Sequence, residues 1–246
     1  MSLLTDYLVR LMVKLKSEIG SLLNFIFTAS RIFRVKPNVI SMGDSHISFL
    51  YAEPNVGKRK VFTLTKNNEL VIWLGPMLLY STTLKEFSLN NRIKIVLRIA
   101  GNRKPIVVAL GEIDCRVHFV QTTLPFGIRQ FDIIAQNYKK FLLNLVDTYN
   151  FSRIIVITPI PPSDSKRNNP VFPRVGSLAE RALATKLITD SLVKISDFYF
   201  AVIDSQSVLS NPNGSLNQKY SDDGLHINSL GSEKILGKLA TLIDCA

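Results

Sequence analysis

Short apolar runs alternate along the chain with longer segments in which apolar residues recur every three or four positions. The runs are rich in β-branched and aromatic residues, as in strands, and the longer segments have the period of a helix buried on one face. The predicted strands cover residues 39–42, 60–65, 69–74, 105–110, 153–158 and 198–203. The predicted helices cover residues 1–30, 90–104, 130–149 and 229–243, with a further helix that begins at the capping-box tetrapeptide 177–180.

This alternation of strands and helices predicts the fold class. Strands joined by helices pair in parallel and are covered on both faces, which gives a three-layer α/β/α sandwich with a mostly parallel central sheet. A chain of 246 residues, of which 46% are hydrophobic, is long enough for one such domain. We therefore expect one main α/β domain, residues 36–246, preceded by a helical segment, residues 1–35.

The N-terminal segment has a single apolar stripe flanked by Arg10, Lys14 and Lys16. Pro37 ends the helical pattern, so we place the boundary near Val35. The longest uncharged run here has 12 residues, fewer than the ~18 that a spanning helix needs. Residues 1–30 are therefore expected to pack on their own domain, to pair with another copy, or to lie on an anionic membrane surface. The stripe consists of Leu4, Leu8, Leu11, Leu15, Ile19, Leu22 and Ile26.

Charge and cysteine content narrow the class of partner and compartment. The net charge of +11 favours an acidic partner, such as a phosphate-bearing substrate or anionic headgroups, or a solvated basic surface. Nucleic acid is not expected, because the basic residues are dispersed and no nucleic-acid-binding motif is present. Cys115 and Cys245 form no disulfide framework, which favours a reducing, cytoplasmic location with membrane contact limited to the N-terminal helix.

Polar clusters follow several of the predicted strands, where a parallel sheet binds its ligands. They are the turn 43–46, Gly75, the segment 111–118 and the segment 223–226, and all three histidines of the chain lie in or beside them. Within the first cluster, Asp44 or Ser45 could cap the next helix, or the Ser45 hydroxyl could act as a nucleophile. An imidazole that is oriented by a carboxylate can activate such a serine, and Asp223 and His226 provide that pair.

Taken together, these clusters resemble the four sequence blocks of the SGNH (GDSL-type) hydrolase superfamily over roughly residues 38–240. The resemblance implies a flavodoxin-like sandwich in which Ser45 is the nucleophile, His226 is the general base and Asp223 orients it. It also implies that the backbone amides of Ser45 and Gly75 bind the oxyanion. No cofactor or metal is implied. Further residues of the same clusters are candidates for contacts with the oxyanion or the substrate: Asp44, His46, Glu112, Asp114, Arg116 and His118.

The third block departs from the family pattern at one position. It normally reads Gly-x-Asn-Asp, with an Asn that donates to the oxyanion, and this chain has Ile113 there. Losing one such donor typically costs ~10²–10³ in rate. We hypothesise that Arg116 or His118 substitutes for it; the alternative for Arg116 is a salt bridge with Glu112 or Asp114.

The expected chemistry is acyl transfer through an acyl-Ser45 intermediate. With water as the acceptor the protein is an esterase, and with a sugar hydroxyl it is an O-acyltransferase; both activities occur in the family that it resembles. The resemblance also suggests an acylated carbohydrate as the substrate. The basic segment 92–104 favours an acidic substrate. Two alternatives stay open: a catalytically inactive carbohydrate-binding protein on a hydrolase scaffold, and a metal-dependent phosphoesterase. The second would use Asp44, His46, Glu112, Asp114, His118, Asp223 and His226 as metal ligands.

Overall fold

Six strands form one sheet: β1 Val39–Gly43, β2 Phe62–Leu64, β3 Glu69–Trp73, β4 Pro105–Ala109, β5 Arg153–Ile157 and β6 Phe200–Ile203. The structure, a computed structural model, describes residues 3–51, 61–84, 88–164 and 172–244. Across the sheet the strand order is β2-β3-β1-β4-β5-β6. All neighbouring strands pair in parallel except β2, which runs antiparallel to β3 at the edge.

Helices cover both faces of this sheet. They are α1 Leu3–Arg34, α2 Ser45–Leu50, α3 Asn91–Ala100, α4 Phe119–Thr122, α5 Ile128–Tyr149, α6 Leu178–Lys194, α7 Gln206–Leu209 and α8 Ser229–Asp244. Side chains alternate along each strand, so Val108 packs into a core beneath α1, α3, α5 and α6, whereas Val107 packs into a core beneath α2, α7 and α8. This is the predicted three-layer α/β/α sandwich.

The long elements follow the sequence pattern, with differences at their ends. The helix predicted over 90–104 ends at Ala100, because the chain turns through Arg103, at φ +57°, to enter β4. The strand predicted over 198–203 begins at Phe200, since Asp197 accepts the amide hydrogens of Tyr199 and Phe200 in a turn. Residue 60 of the second predicted strand and Cys245 lie outside the described residues.

Helix α1 is attached to the domain through its second half. Asn24 pairs with β2 at the sheet edge, accepting from the Phe62 amide and donating to the Phe62 carbonyl at 3.1 Å each. Ile32 is 1% exposed and belongs to the core beneath α3 and α5. The side-chain amide thus occupies hydrogen-bonding groups that an edge strand would otherwise leave open.

The opposite face of α1 is apolar and exposed. None of the helices in the described part of the chain combines the length and apolar character that crossing a membrane requires. Contact of residues 1–30 with a membrane surface or another copy stays a prediction. The exposed side chains include Met12, Leu15, Ile19, Leu23, Ile26, Phe27 and Phe33.

Candidate active site

The turn between β1 and α2 presents Ser45 at the carboxyl end of the sheet. Asp44 caps α2, and its Oδ1 accepts the His46 amide hydrogen at 2.9 Å. A side chain at Gly43 would collide with the strand beside it, because its Cβ would lie 2.2 Å from the Ala109 carbonyl oxygen. Because Asp44 caps α2, the Ser45 hydroxyl is free to make a different contact.

That contact is with His226. The Ser45 Oγ lies 3.2 Å from His226 Nε2, and His226 Nδ1 lies 2.9 Å from Asp223 Oδ2. The other Asp223 oxygen accepts the amide hydrogens of Leu225 and His226, at 2.8 Å each. With the Nδ1 proton directed at Asp223, Nε2 is left as the acceptor for the serine proton. The three side chains form a continuous serine–histidine–carboxylate relay.

The loop that carries Asp223 and His226 is held by hydroxyl groups. Ser221 accepts the Gly224 amide hydrogen and donates to the His226 carbonyl at 2.6 Å. Ser163, from the loop after β5, donates to the Gly224 carbonyl. These bonds fix the loop between the carboxyl end of β5 and the start of α8.

An aromatic ring covers one face of the His226 imidazole. Phe49 stacks on His226 with ring centroids 4.0 Å apart and planes 14° from parallel. Phe49 is held in turn, because its carbonyl accepts the Ser232 hydroxyl of α8 at 3.1 Å. The stack limits rotation of the imidazole and shields it from water.

Burial and nearby charge set the protonation of the pair. Burial lowers the pKa of His226 below its ordinary value, and the positive charge of His46 lowers it further, against the raising effect of Asp223. Burial opposes ionisation of Asp223, but hydrogen bonds from His226 and Leu225 outweigh it and lower its pKa to about 2. Near neutral pH the pair is therefore a neutral imidazole beside an ionised carboxylate.

A second row of charged side chains lies behind this relay. The ring centroid of His46 is 5.3 Å from that of His226. The His46 Nε2 is 3.6 Å from Glu112 Oε2, and Arg116 Nε is 3.0 Å from Glu112 Oε1. Burial opposes protonation of His46, but Glu112 and Asp44 outweigh it and raise its pKa. Burial also raises the pKa of Asp44, to about 6.

This row borders a small, mostly apolar space beneath the Ser45 turn, which we call the inner cavity. Its volume, counted with the solvent at its open side, is about 330 Å³. Its lining includes Asp44, His46, Leu50, Glu112, Ile157 and Ile160.

Gly75 follows the carboxyl end of β3, beside the Ser45 turn. The preceding Leu74 amide donates to the Gly43 carbonyl at 2.7 Å, so the two loops leave the sheet side by side. Gly75 has φ +81°, a conformation that favours glycine.

Asp114 fixes the loop that begins at Gly75. It is fully buried, and its oxygens accept the amide hydrogens of Leu79 at 2.7 Å and Tyr80 at 3.2 Å. Burial raises its pKa to about 7. This differs from our expectation of a group that contacts substrate, because the backbone uses both oxygens and solvent does not reach them. Asp114 positions the Gly75 loop instead.

Much of the basic segment 92–104 lies away from this site. Arg98 and Lys104 line a surface pocket together with Lys36 and Asn150, residues that precede β1 and β5. These are the amino ends of parallel strands, whereas Ser45 and His226 lie at the carboxyl ends. The segment therefore gives little support to an acidic substrate.

The acidic and histidine residues do not converge on a metal site. In residues 3–51, 61–84, 88–164 and 172–244, no group of three or more His, Cys, Asp or Glu side chains is arranged to hold a metal ion. Asp223 instead contacts His226, and His226 contacts Ser45.

Sequence comparison and structure comparison give different results. No protein-family model and no curated protein sequence matches the chain. Solved structures do match: a GDSL-like lipase from Bacteroides thetaiotaomicron has a TM-score of 0.52 at 13% identity, covering 84% of this chain and 87% of that one. The aryl esterase of M. smegmatis has a TM-score of 0.51 at 17% identity, covering 85% and 99%. A carbohydrate acetylesterase from Sinorhizobium meliloti has a TM-score of 0.51 at 14% identity, with the same coverage.

The chain has the SGNH/GDSL hydrolase fold. Ile113, which the sequence resemblance matches to the oxyanion-donating Asn, is 5% exposed. Arg116 is turned toward Glu112, and His118 follows at the end of a short π-helical turn, partly exposed. The salt bridge with Glu112 that we considered for Arg116 is present, and a role for Arg116 or His118 at the oxyanion stays a prediction.

Two residues of the SGNH-type site were absent from our sequence-based candidates. Phe49 lies four residues after Ser45, a spacing that puts both on one face of a helix and that could have identified it. Ser221 gave no signal, because serine is common in polar loops.

Proposed function

We propose that the protein is a serine ester hydrolase that works through an acyl-Ser45 intermediate. The observation that carries the proposal is the relay from Ser45 Oγ to His226 Nε2, at 3.2 Å, and from His226 Nδ1 to Asp223, at 2.9 Å. A serine hydroxyl is a weak nucleophile until such a base accepts its proton. The lowered pKa of His226 keeps the base neutral, and therefore active, near neutral pH.

The reaction takes two steps. His226 Nε2 removes the Ser45 proton as Oγ attacks the ester carbonyl, and the amides of Ser45 and Gly75 receive the developing negative charge. The intermediate collapses to acyl-Ser45, and the imidazolium returns its proton to the leaving alkoxide. Water, deprotonated by His226, then attacks the acyl group; the carboxylic acid leaves and Ser45 is regenerated.

Asp223 acts through His226 in both steps. It holds the imidazole in the tautomer with its proton on Nδ1 and stabilises the imidazolium that forms. Its own pKa of about 2 keeps it ionised throughout the working range.

A carbohydrate ester is the proposed substrate class. The support is the fold shared with a carbohydrate acetylesterase. Ser45 and His226 are also partly exposed, as contact with an external substrate requires. If a sugar hydroxyl replaces water in the second step, the same intermediate makes the protein an O-acyltransferase. The two activities are distinguished by supplying a neutral acetyl ester with and without a free sugar and measuring how the acetyl group divides between acetate and sugar ester.

Labelling with a fluorophosphonate, followed by intact-mass measurement, tests the nucleophile. We expect one adduct on the parent protein, none on Ser45→Ala, and loss of rapid labelling on His226→Ala. Ser196→Ala, an exposed serine before β6 at the amino end of the sheet, is the matched control and should label like the parent. Ester turnover should fall by more than about 10³-fold in the first two variants. A folded parent that takes up no label and turns over no ester would overturn the proposal and favour the inactive binding protein.

A further inference from the structure

A second cleft opens beside the loop that carries the catalytic histidine, and we call it the arginine cleft. Gly224 and Leu225, the two residues before His226, form part of its wall. It meets the inner cavity at Glu112 and Ile160, which line both. The cleft therefore adjoins the reacting groups, and its volume, counted with the solvent at its open side, is about 320 Å³.

Three guanidinium groups line this cleft: those of Arg116, Arg174 and Arg181. Arg116 is 8% exposed and Arg181 is 3% exposed. Removing charged side chains from water is costly, and three like charges near one another add repulsion. Burial lowers the pKa of Arg181, and the charges of Arg174 and Arg116 lower it further against the effect of Asp164. Such an arrangement needs anionic compensation.

Carboxylates of the protein pair with Arg116 and Arg181, and Arg174 has an interaction partner as well. Glu112 pairs with Arg116, and Asp164 pairs with Arg181 at 3.2 Å, although Asp164 is largely exposed. Arg181 also donates to the Gly176 carbonyl at 2.6 Å. Its Nε is buried and has no hydrogen-bond acceptor among the described residues. A donor buried without an acceptor costs free energy that a bound anion would recover.

The position of the cleft indicates which part of an ester it would face. His226 gives its proton to the leaving alkoxide, so the alcohol portion must leave next to the imidazole. Gly224 and Leu225 connect the cleft wall directly to His226, and Ser163 fixes this wall by donating to the Gly224 carbonyl. The alcohol portion is therefore the part of the substrate within reach of the arginines.

We infer that the arginine cleft is a subsite for an anionic group, a carboxylate or a phosphate, on the alcohol portion of the ester. This inference rests on the proposed ester hydrolase function and narrows its substrate to acylated sugar acids or sugar phosphates. Guanidinium groups bind both anions through paired hydrogen bonds, so Arg116, Arg174 and Arg181 are specificity-determining residues.

Matched esters separate the two anions from each other and from a neutral sugar. The acetyl esters of methyl glucoside, methyl glucuronoside and methyl glucoside 6-phosphate differ in the charge at C6 and share the acetyl group. We expect kcat/KM for one or both anionic esters to exceed that for the neutral ester by roughly 10- to 100-fold, as for a charge-assisted contact. The excess should fall as salt is added.

Arg174→Gln and Arg116→Gln test the assignment to this cleft. Each should reduce the ratio of anionic to neutral kcat/KM to within about threefold of unity. Arg98→Gln removes a charge at the opposite end of the sheet and should keep the parent ratio. Arg181 is less suitable as a test, since it also holds the Gly176 carbonyl and its loss would disturb the fold.

The failure of this inference differs from the failure of the proposed function. If the parent turns over the neutral ester and shows no preference for either anionic ester, the subsite is wrong and the ester hydrolase stands. If the parent turns over none of the three esters, their equilibrium binding to Ser45→Ala is measured instead, because binding needs no turnover. If Ser45→Ala binds an anionic ester more tightly than the neutral ester, and Ser45→Ala/Arg174→Gln does not, the subsite is supported although the hydrolase function is wrong. If Ser45→Ala binds all three esters equally, both proposals are wrong.

Discussion

The ring of Phe49 lies parallel to the imidazole of His226, with centroids 4.0 Å apart. This contact joins α2, the helix that begins at Ser45, to the loop that precedes α8. Helix α2 and this loop are therefore held together by an apolar contact as well as by the 3.2 Å hydrogen bond between Ser45 and His226. In the proposed mechanism, Phe49 would therefore position the base.

Phe49→Ala should lower kcat for ester turnover by roughly 10- to 100-fold, because the imidazole gains freedom to rotate away from Ser45. KM should change less. Removing the ring also admits water to His226, so the acid limb of the pH–rate profile should move to higher pH. Phe49→Tyr keeps the aromatic face and should restore most of kcat. Equal kcat in Phe49→Ala and the parent would show that the stack does not position the base.

The rate should depend on pH through His226. The base must be neutral to accept the Ser45 proton, and burial together with the His46 charge lowers its pKa. The acid limb of kcat/KM should therefore have its midpoint below the ordinary histidine value of about 6.5, with activity retained at lower pH than for an exposed histidine.

His46→Gln tests the electrostatic part of that shift. It removes a positive charge whose ring centroid is 5.3 Å from that of His226. Loss of this charge makes protonation of His226 easier, so the acid-limb midpoint should rise. Asp223, Glu112 and Ser45 still face the imidazole in this variant, which makes the upward direction specific to the lost charge. A midpoint that stays in place or falls would contradict it.

Most of the fold could be predicted because its signals are local. Buried parallel strands such as β4 are continuous apolar runs, and helices such as α5 carry their apolar residues at helical spacing. The four-residue helices α4 and α7 were not predicted, since segments this short carry no readable period. The ends of α3 and β6 depended on turns that the apolar pattern does not contain.

The candidate site likewise has residues that local sequence signals identify and residues that only tertiary packing brings together. Ser45, Asp223 and His226 could be found because each follows a strand or precedes a helix, and parallel strands bring such positions to one edge. The arginine cleft could not be found, because Arg116, Arg174 and Arg181 come from separate segments that only the packing of α6 against the turn after β4 brings together. The burial of Asp114 beneath the Gly75 loop is likewise a tertiary feature.

Asn24→Ala should loosen α1 from the sheet. The change leaves the Phe62 amide and carbonyl without the partners they have at 3.1 Å. We expect the free energy of unfolding to fall by roughly 1 to 3 kcal/mol, measured by chemical denaturation, and the Phe62 amide to exchange faster with deuterium. Ser30→Ala, on the exposed face of α1, should change stability by less than about 0.5 kcal/mol. Unchanged exchange at Phe62 would mean that Asn24 does not hold the edge strand.

Asp114→Ala should affect both stability and catalysis, because this side chain joins the turn after β4 to the loop after β3. Two backbone amides, those of Leu79 and Tyr80, would lose a buried acceptor, at a cost of roughly 2 to 4 kcal/mol in unfolding free energy. Asp190→Ala removes a carboxylate from an exposed pair on α6 and should cost less than about 1 kcal/mol. The loop released by Asp114→Ala begins at Gly75, whose amide is a proposed oxyanion donor. Ester turnover, measured well below the denaturation midpoint, should therefore fall in kcat more than it rises in KM. A destabilised variant with the parent kcat would mean that Asp114 serves the fold alone and that the Gly75 loop keeps its geometry without it.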